Sequence, residues 1–471
     1  MSIPPSTSDS SPHSDFKEKS FPPRDSVKEK IAKTTDEIFR QNSDQNAADE
    51  KREGVTLSLP IEKSDLPVER VAQNILFETL AQASEDMVQE IISRFAVKDL
   101  AHFMQASKGA KQSVELGLND FLWLKKLTTV STATFEEFKW RLKLKNPGVE
   151  ISDAQLLKIV LSSCKQCEEI ELSLPAFNSD ILSAFTDCGS HVTSLMLRID
   201  RCNNSAPFSF EKMPRLQSLT FKNCMDLDTQ LDLSKLPSLV RFQMLDCVKY
   251  EKTIDLTKCE NLKEARFSNC AALPEAPKIK NLFHLELLDL SGCATLSQGS
   301  DLSGCAALRE LDCRHSGIIE APKVQNLAHL EKLNLSGCFI VQPPDVRGCR
   351  SLKELNFYMC TSLLQPPITR NLESLEKLDF EFCVDMTQAP DLHGCKSLTW
   401  VNLSACGQLR AASLLADLPK LAFFSVSGCN ELQQKITVSN CPSLEQMVLS
   451  GIPQSCYPDL SELERVRIEL L

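Results

Sequence analysis

The stretch Leu285-Glu286-Leu287-Leu288-Asp289-Leu290-Ser291-Gly292-Cys293 decides how the whole chain is read. Its spacing, Leu-x-x-Leu-x-Leu-x-x-Cys, returns at Leu330, Leu333, Leu335 and Cys338, at Leu352, Leu355, Phe357 and Cys360, and at Leu375, Leu378, Phe380 and Cys383. Leu308, Leu311 and Cys313 form a looser copy. The frame extends downstream through units starting at Leu398, Leu421 and Leu444, and upstream through Leu262, Leu239, Leu216, Val192 and Cys167. Starts lie 22 or 23 residues apart over most of the array and 24 and 25 apart at its beginning. That makes thirteen units, with Leu463, Val466 and Ile468 as a closing strand.

The apolar positions within each unit alternate, so each unit carries a short strand with its leucines facing inward. Repetition at a fixed period stacks such strands into a parallel sheet of quasi-one-dimensional architecture. A 23-residue unit leaves only about a dozen residues for the return path. This favours extended or 3-10 segments over full helices, as do Pro343-Pro344, Pro366-Pro367 and Pro390. The Cys column ends each strand and points inward, where a thiol can donate a weak hydrogen bond to the backbone of the adjacent turn.

A second period overlies the first. Cys259, Cys305, Cys349, Cys395 and Cys441 stand three residues before every other unit, as in Asp301-Leu302-Ser303-Gly304-Cys305. The intervening units read Asn281-Leu282, Asn326-Leu327 and Asn371-Leu372 instead, so the module is a pair of repeats. The array resembles leucine-rich repeats of the cysteine-containing kind found in substrate receptors of ubiquitin ligases. Its Leu-Ser-Gly-Cys wording is also similar to plant immune receptors, but no GxxxxGK[ST] loop accompanies it.

Composition fits a binding device. The net charge of −11 argues against nonspecific nucleic-acid binding. No run of 18 apolar residues exists, so no membrane span is expected. Met1–Ser10 lacks the layout of a secretory signal, which points to a cytoplasmic, reducing compartment. Twenty cysteines in a long chain, held at one phase of a repeat, read as buried free thiols rather than a disulfide scaffold.

Residues 1–55 are rich in Ser, Pro, Asp, Glu and Lys and are expected to be a disordered tail. Residues 60–130 show helical periodicity, with Ser84 and Asp99 as N-cap candidates, and residues 131–165 continue it as a helical linker or cap before the solenoid of 166–471. The first of these blocks resembles an F-box over Val88–Phe95, Val97–Leu100, Gln105–Lys108 and Asn119–Leu127, although the family's opening Leu-Pro falls on Ala83-Ser84 and its mid-motif Trp near Ala110. The resemblance implies docking on a Skp-family adaptor, and through it a cullin–RING ligase, by Ile91, Ile92, Phe95, Leu100, Phe103 and Trp123. It thus implies a non-catalytic substrate receptor, a layout that bacteria also deliver into host cytoplasm. The alternative is an interaction scaffold or inhibitor whose helical block only caps the array.

Nothing in the sequence carries catalysis or a cofactor. Cys164-x-x-Cys167 lacks a second pair at zinc-site spacing. Cys383-Val384-Asp385 resembles the Cys-x-Asp of bacterial ligases with leucine-rich repeats, but Cys383 fills the repeat position. No HExxH, GxSxG or dinucleotide fingerprint occurs. The candidate target-binding face comprises the residues between and just after the inward leucines in the central array. These are Glu310, Asp312, Arg314 and His315, then Lys332 and Asn334, then Glu354, Asn356, Tyr358 and Met359. Lys377, Asp379, Glu381 and Phe382 follow, then Trp400, Asn402 and Phe423. Carboxylates mixed with aromatic side chains are the composition of a protein-binding hot spot.

Overall fold

The structure, a computed structural model, describes Leu124 and residues 127–145, 152–202 and 207–470. Among them, fifteen strands form one parallel sheet. In chain order they are β1 (Thr129–Ser131), β2 (Glu169–Leu174), β3 (Ser194–Ile199), β4 (Ser218–Lys222), β5 (Arg241–Leu245), β6 (Glu264–Arg266), β7 (Leu287–Asp289) and β8 (Glu310–Asp312). They continue with β9 (Lys332–Asn334), β10 (Glu354–Asn356), β11 (Lys377–Asp379), β12 (Trp400–Asn402), β13 (Phe423–Ser425), β14 (Gln446–Val448) and β15 (Arg467–Glu469). The thirteen repeat units supply β2 to β14, and the closing segment supplies β15. Each strand pairs with the next without slippage, so that Leu288, Leu311, Leu333, Leu355, Leu378 and Val401 form one inward column. These side chains are buried, and in the next inward column the Phe357 and Phe380 rings stack 4.9 Å apart. Truncating one such side chain to Ala costs about 2–5 kcal/mol, because a stacked layer cannot collapse to fill the gap.

Two features at the start depart from the repeat reading. β1 is a strand inside the block read as helical, pairing with β2 through Val130 and Ile170. Two helices follow it, α1 (Thr132–Lys145) and α2 (Asp153–Ser163). Ser152 caps α2: its Oγ accepts from Gln155 N–H while the Gln155 side chain accepts from Ser152 N–H. The first return path also holds a full helix, α3 (Ser179–Cys188), capped by Asn178. The longer opening unit makes room for it. Later return paths are short extended pairs and turns, with 3-10 segments at Gln454–Cys456 and Leu460–Glu462. The tail 1–55 and nearly all of the 60–130 block, including Ile91, Ile92, Phe95, Leu100, Phe103 and Trp123, lie outside the described residues.

All twenty cysteines carry free thiols, and every one but Cys441 is buried. The column after the strands works as hydrogen-bond caps. Cys293 Sγ donates to Phe267 O at 3.0 Å, Cys360 to Leu335 O at 3.0 Å and Cys429 to Leu403 O at 3.0 Å. Each acceptor belongs to the preceding layer. In the β8 unit Cys313 takes an inward strand position and Ser316 stands in the thiol column, its Oγ bonded to Cys313 O at 2.6 Å. The alternate column does the same on the return path, as Cys305 to Ile279 O at 3.3 Å and Cys349 to Val324 O at 3.2 Å.

Left-handed backbone explains the paired module. Asn281, Gly304, Asn326, Gly348, Asn371 and Gly394 all have positive φ, between 62° and 85°. Asn and Gly are the residues that tolerate this conformation most readily. They alternate because the layers stack closely: a Cβ on Gly304 would lie 2.6 Å from Asn281 Oδ1, and one on Gly394 would overlap Asn371 Oδ1. Each Asn therefore needs a Gly above it. Gly394→Ala should lower stability by about 2–3 kcal/mol, combining left-handed strain with the overlap. Adding Asn371→Gly should recover part of that loss in chemical denaturation, whereas additive losses would contradict this packing.

The thiols also predict a pH dependence. Burial pushes Cys293 and Cys383 from 9.0 to about 12. Thiols of the unfolded chain ionise first, so stability is intact below about pH 9 and falls as pH rises toward 12. The denaturation midpoint should be lower at about pH 10 than at about pH 8, with a smaller drop in a Cys293→Ala/Cys383→Ala variant.

Candidate functional site

The sheet register sorts the candidate residues into columns. The first column runs Leu287, Glu310, Lys332, Glu354, Lys377, Trp400, Phe423 across β7 to β13. The second runs Asp289, Asp312, Asn334, Asn356, Asp379, Asn402, Ser425. Arg314, His315, Tyr358, Met359, Glu381 and Phe382 lie past the strand ends, in the turns that form the rim of the sheet.

Much of the second column serves its own turn. Asp312 Oδ1 accepts from Arg314 N–H at 3.0 Å, Asn356 Oδ1 from Tyr358 N–H at 2.8 Å, Asp379 Oδ1 from Glu381 N–H at 3.0 Å and Asn402 Oδ1 from Ser404 N–H at 3.0 Å. These are Asx turns, in which a short polar side chain replaces a missing backbone acceptor. They explain why Asp or Asn recurs there, and they leave at most one atom of each side chain for a partner, none at Asn402. Burial raises the Asp312 pKa, and it raises that of Asp379 to about 6, with the Glu381 carboxylate adding to the effect.

The two ends of the face differ in chemistry. Toward its beginning, charges satisfy one another. Arg241 Nε lies 3.0 Å from Glu264 Oε2, Gln243 donates to Glu264 at 2.8 Å, and Ser268 Oγ donates to Asp289 Oδ2 at 2.6 Å. Burial pushes Glu264 up, but hydrogen bonds from Arg266, Arg241 and Gln243 outweigh it and hold the carboxyl below its usual value. A shallow hollow of about 350 Å³ beside these residues is lined by Arg241, Lys263, Glu264 and Glu286, which are ion-paired within the fold. From β12 onward the face turns aromatic and then small. Trp400 and Phe423 stack with centroids 5.5 Å apart and an interplanar angle of 12°. Beside them Glu381 Oε2 accepts from Asn402 Nδ2 at 2.9 Å, and hydroxyls follow at Ser404, Ser425, Ser427 and Ser450. At the rim Tyr358 meets Phe382 edge-on at 6.0 Å.

This is the cross-section that the repeat implies: inward leucines, a capped strand, an extended return path. The fold is that of a leucine-rich-repeat solenoid. No family model matches the chain, and no curated protein matches it. Among solved structures, the functional domain of InlJ from Listeria monocytogenes, which includes a cysteine ladder, is 18% identical with a TM-score of 0.39, covering 63% of this chain and 65% of that one. The leucine-rich-repeat protein LIC12759 of Leptospira interrogans is 13% identical with a TM-score of 0.31, over 70% of this chain and 97% of that one. The internalin inlF from Listeria monocytogenes is 12% identical with a TM-score of 0.33, over 62% of this chain and 88% of that one. The chain thus spans slightly less than two thirds of the InlJ domain.

Chemistry at Cys383, Cys164 and Cys167 is opposed by their surroundings. Cys383 Sγ donates to Phe357 O at 3.2 Å from a buried position, and its pKa of about 12 keeps it a thiol at neutral pH. Cys164 and Cys167 are pushed up to about 12 and about 11 by burial. Among the described residues no group of three or more His, Cys, Asp or Glu is placed to hold a metal ion, and no helix is long and apolar enough to cross a membrane.

Sequence reasoning missed the exposed apolar residues outside the strands. Phe339, Val341, Leu364 and Val384 are exposed, as is Ile319. Comparing equivalent positions from repeat to repeat would have found them.

Asp379→Asn keeps the turn acceptor and removes a charge that burial disfavours. Asp379 binds its proton more tightly folded than unfolded, so its contribution to stability falls as pH rises from about 4 to about 6. The Asn variant should match wild type below that window and equal or exceed it above. Asp379→Ala leaves Glu381 N–H without an acceptor and should be about 1–2 kcal/mol less stable than the Asn variant at every pH. Thermal unfolding across pH measures both.

Proposed function

We propose that the protein is a non-catalytic recognition subunit whose concave face binds a target protein and whose 60–130 block docks on a Skp-family adaptor of a cullin–RING ubiquitin ligase. The observation that carries the target-binding half is the stacked Trp400–Phe423 pair. Its neighbours toward β8 alternate in charge, with Lys332 3.6 Å and Lys377 3.8 Å from Glu354, and are partnered within the fold. The aromatic pair is half-buried and offers its outer apolar faces beside hydrogen-bonding groups, and such residues dominate binding energy at protein interfaces. Exposed ion pairs add about 0–1 kcal/mol each, so they orient a partner rather than hold it.

The adaptor half rests on the F-box resemblance and on one structural argument. A solenoid needs its open edge covered. Leu124 and the described residues from 127 to 164 already serve the first repeat: β1 extends the sheet, Phe135 and Phe138 of α1 are buried, and Cys164 Sγ donates to Leu124 O at 2.9 Å. On the F-box resemblance, Ile91, Ile92, Phe95, Leu100, Phe103 and Trp123 of the segment before them would supply an apolar docking surface.

The two halves separate by mutation of the full chain. Ile92→Asp/Phe95→Asp should abolish co-purification of the Skp adaptor and leave target capture unchanged. Trp400→Ala/Phe423→Ala should weaken target capture about 100-fold or more, a hot-spot loss, and leave the adaptor bound. Wild-type protein that never retains the adaptor would sink the ligase reading and leave the target-binding one standing.

A further inference from the structure

In ten successive repeats the residue directly after the buried apolar anchor that opens the return path faces outward, exposed in nine of them and half-buried at Thr387. Before the centre of the array this position holds Asp228, Glu251 and Ser297, among others. After the centre it holds Thr387, Arg410 and Gln433. Only in the three units of β8, β9 and β10 does it carry large aliphatic side chains, Ile319, Val341 and Leu364, which are 52%, 38% and 42% exposed. Leu364 N–H donates to Val341 O at 3.3 Å, which sets these neighbours side by side.

A second column deviates at the same place. The residue that closes each strand turn has positive φ in eleven consecutive repeats. Asn269, Gly292, His315 and Gly337 occupy it in the middle units, and Gly428 and Gly451 at the end. Between them stand Met359 with φ 59° and Phe382 with φ 62°, 44% and 42% exposed. A bulky apolar residue in left-handed backbone costs stability, and side chains this exposed return only part of it to the fold. Strain held in this way points to a task outside folding.

The two columns border the same flank, beside the strand ends of β8 to β11. Phe339 and Val384, also exposed, follow the cysteines there. Phe382 touches Tyr358, which joins the flank to the aromatic concave face. Around the patch, Glu320, Glu381 and Asp385 have no ion pair among the described residues, whereas Arg314 lies 3.5 Å from Asp312 Oδ2. The rim is thus apolar at its centre and bordered by three such carboxylates, with Arg410 the cation further along the same column.

We propose that this flank is a second docking surface, which takes an amphipathic segment of the target whose apolar side chains are bordered by Lys or Arg. The proposal rests on the target-binding reading above and extends it from the concave face to the rim. Charge complementarity selects the occupant. An acidic segment would meet uncompensated carboxylates, while a cationic one supplies the counter-charges that the fold leaves out.

The test exploits the left-handed backbone, since Gly is the residue that φ favours. Full-length wild type, Met359→Gly/Phe382→Gly and Val341→Ser/Leu364→Ser are titrated against labelled amphipathic helical peptides of about 14 residues, one of Leu and Lys and one of Leu and Glu, with anisotropy as readout. The Leu/Lys peptide should bind wild type at least about tenfold tighter than the Leu/Glu peptide, and should weaken about tenfold in either variant and in added salt. The unfolding midpoint of the glycine variant should equal or exceed that of wild type. Equal binding of both peptides, or binding untouched by the variants, overturns the proposal. So does a lowered midpoint in the glycine variant, which would make Phe382 a structural residue, or concentration-dependent self-association lost in the variants, which would make a second copy the occupant. Trp400→Ala/Phe423→Ala distinguishes the failures. Target capture lost there but kept in the flank variants rejects the flank alone, and capture kept in all of them rejects both surfaces.

Discussion

Each layer of this protein must lie flat on the one before, and from the unit of Leu262 to that of Leu421 two left-handed residues per layer make that possible. One turns the chain at the end of the strand; the other turns it on the return path. On the return path the backbone comes so close to the preceding layer that a Gly stands over each of Asn281, Asn326 and Asn371. The thiol caps follow from the same constraint. A turn this tight leaves carbonyls facing the core, and a cysteine is small enough to reach them while packing as a hydrophobe. The core, the sheet register and the paired module are consequences of one stacking distance.

That constraint also tells which surface residues are free to serve binding. Asp312, Asn356, Asp379 and Asn402 close their own turns before they can serve a partner. Glu354 and the lysines beside it engage one another. Trp400, Phe423, Tyr358 and Phe382 meet no such structural demand, and at Phe382 the backbone would be better served by Gly. Residues that the fold tolerates without needing them mark where the chain was shaped by something outside it.

The sequence made the solenoid legible because its signal repeats thirteen times, and each strand needed only two inward residues in phase. It also made the thiol column legible, since Cys recurs at one position in nine of the thirteen units. It hid β1, whose Thr129–Ser131 carries only Val130 as an inward residue and so no alternation to read. It hid α3, because ten helical residues inside a 25-residue unit look like any other return path. In the candidate site, alternation placed Glu310, Lys377, Trp400 and Phe423 in one column. It could not separate an Asp that closes a turn from one that faces a partner, since both choices use the same residue. The flank escaped notice because exposed Ile, Val and Leu are ordinary one at a time. They gain meaning only when the same position is compared between repeats.

The central claim is that a protein partner sits on the aromatic end of the concave face and its rim. Photo-crosslinking tests it most directly. A photoreactive amino acid is placed in the full chain at Tyr358, at Phe423 or, as reference, at Ser218 on the concave column near the beginning of the array. After irradiation in cells, the account predicts one covalent protein adduct shared by positions 358 and 423 and absent at 218. Adducts of equal yield at all three positions, or at 218 alone, would contradict it.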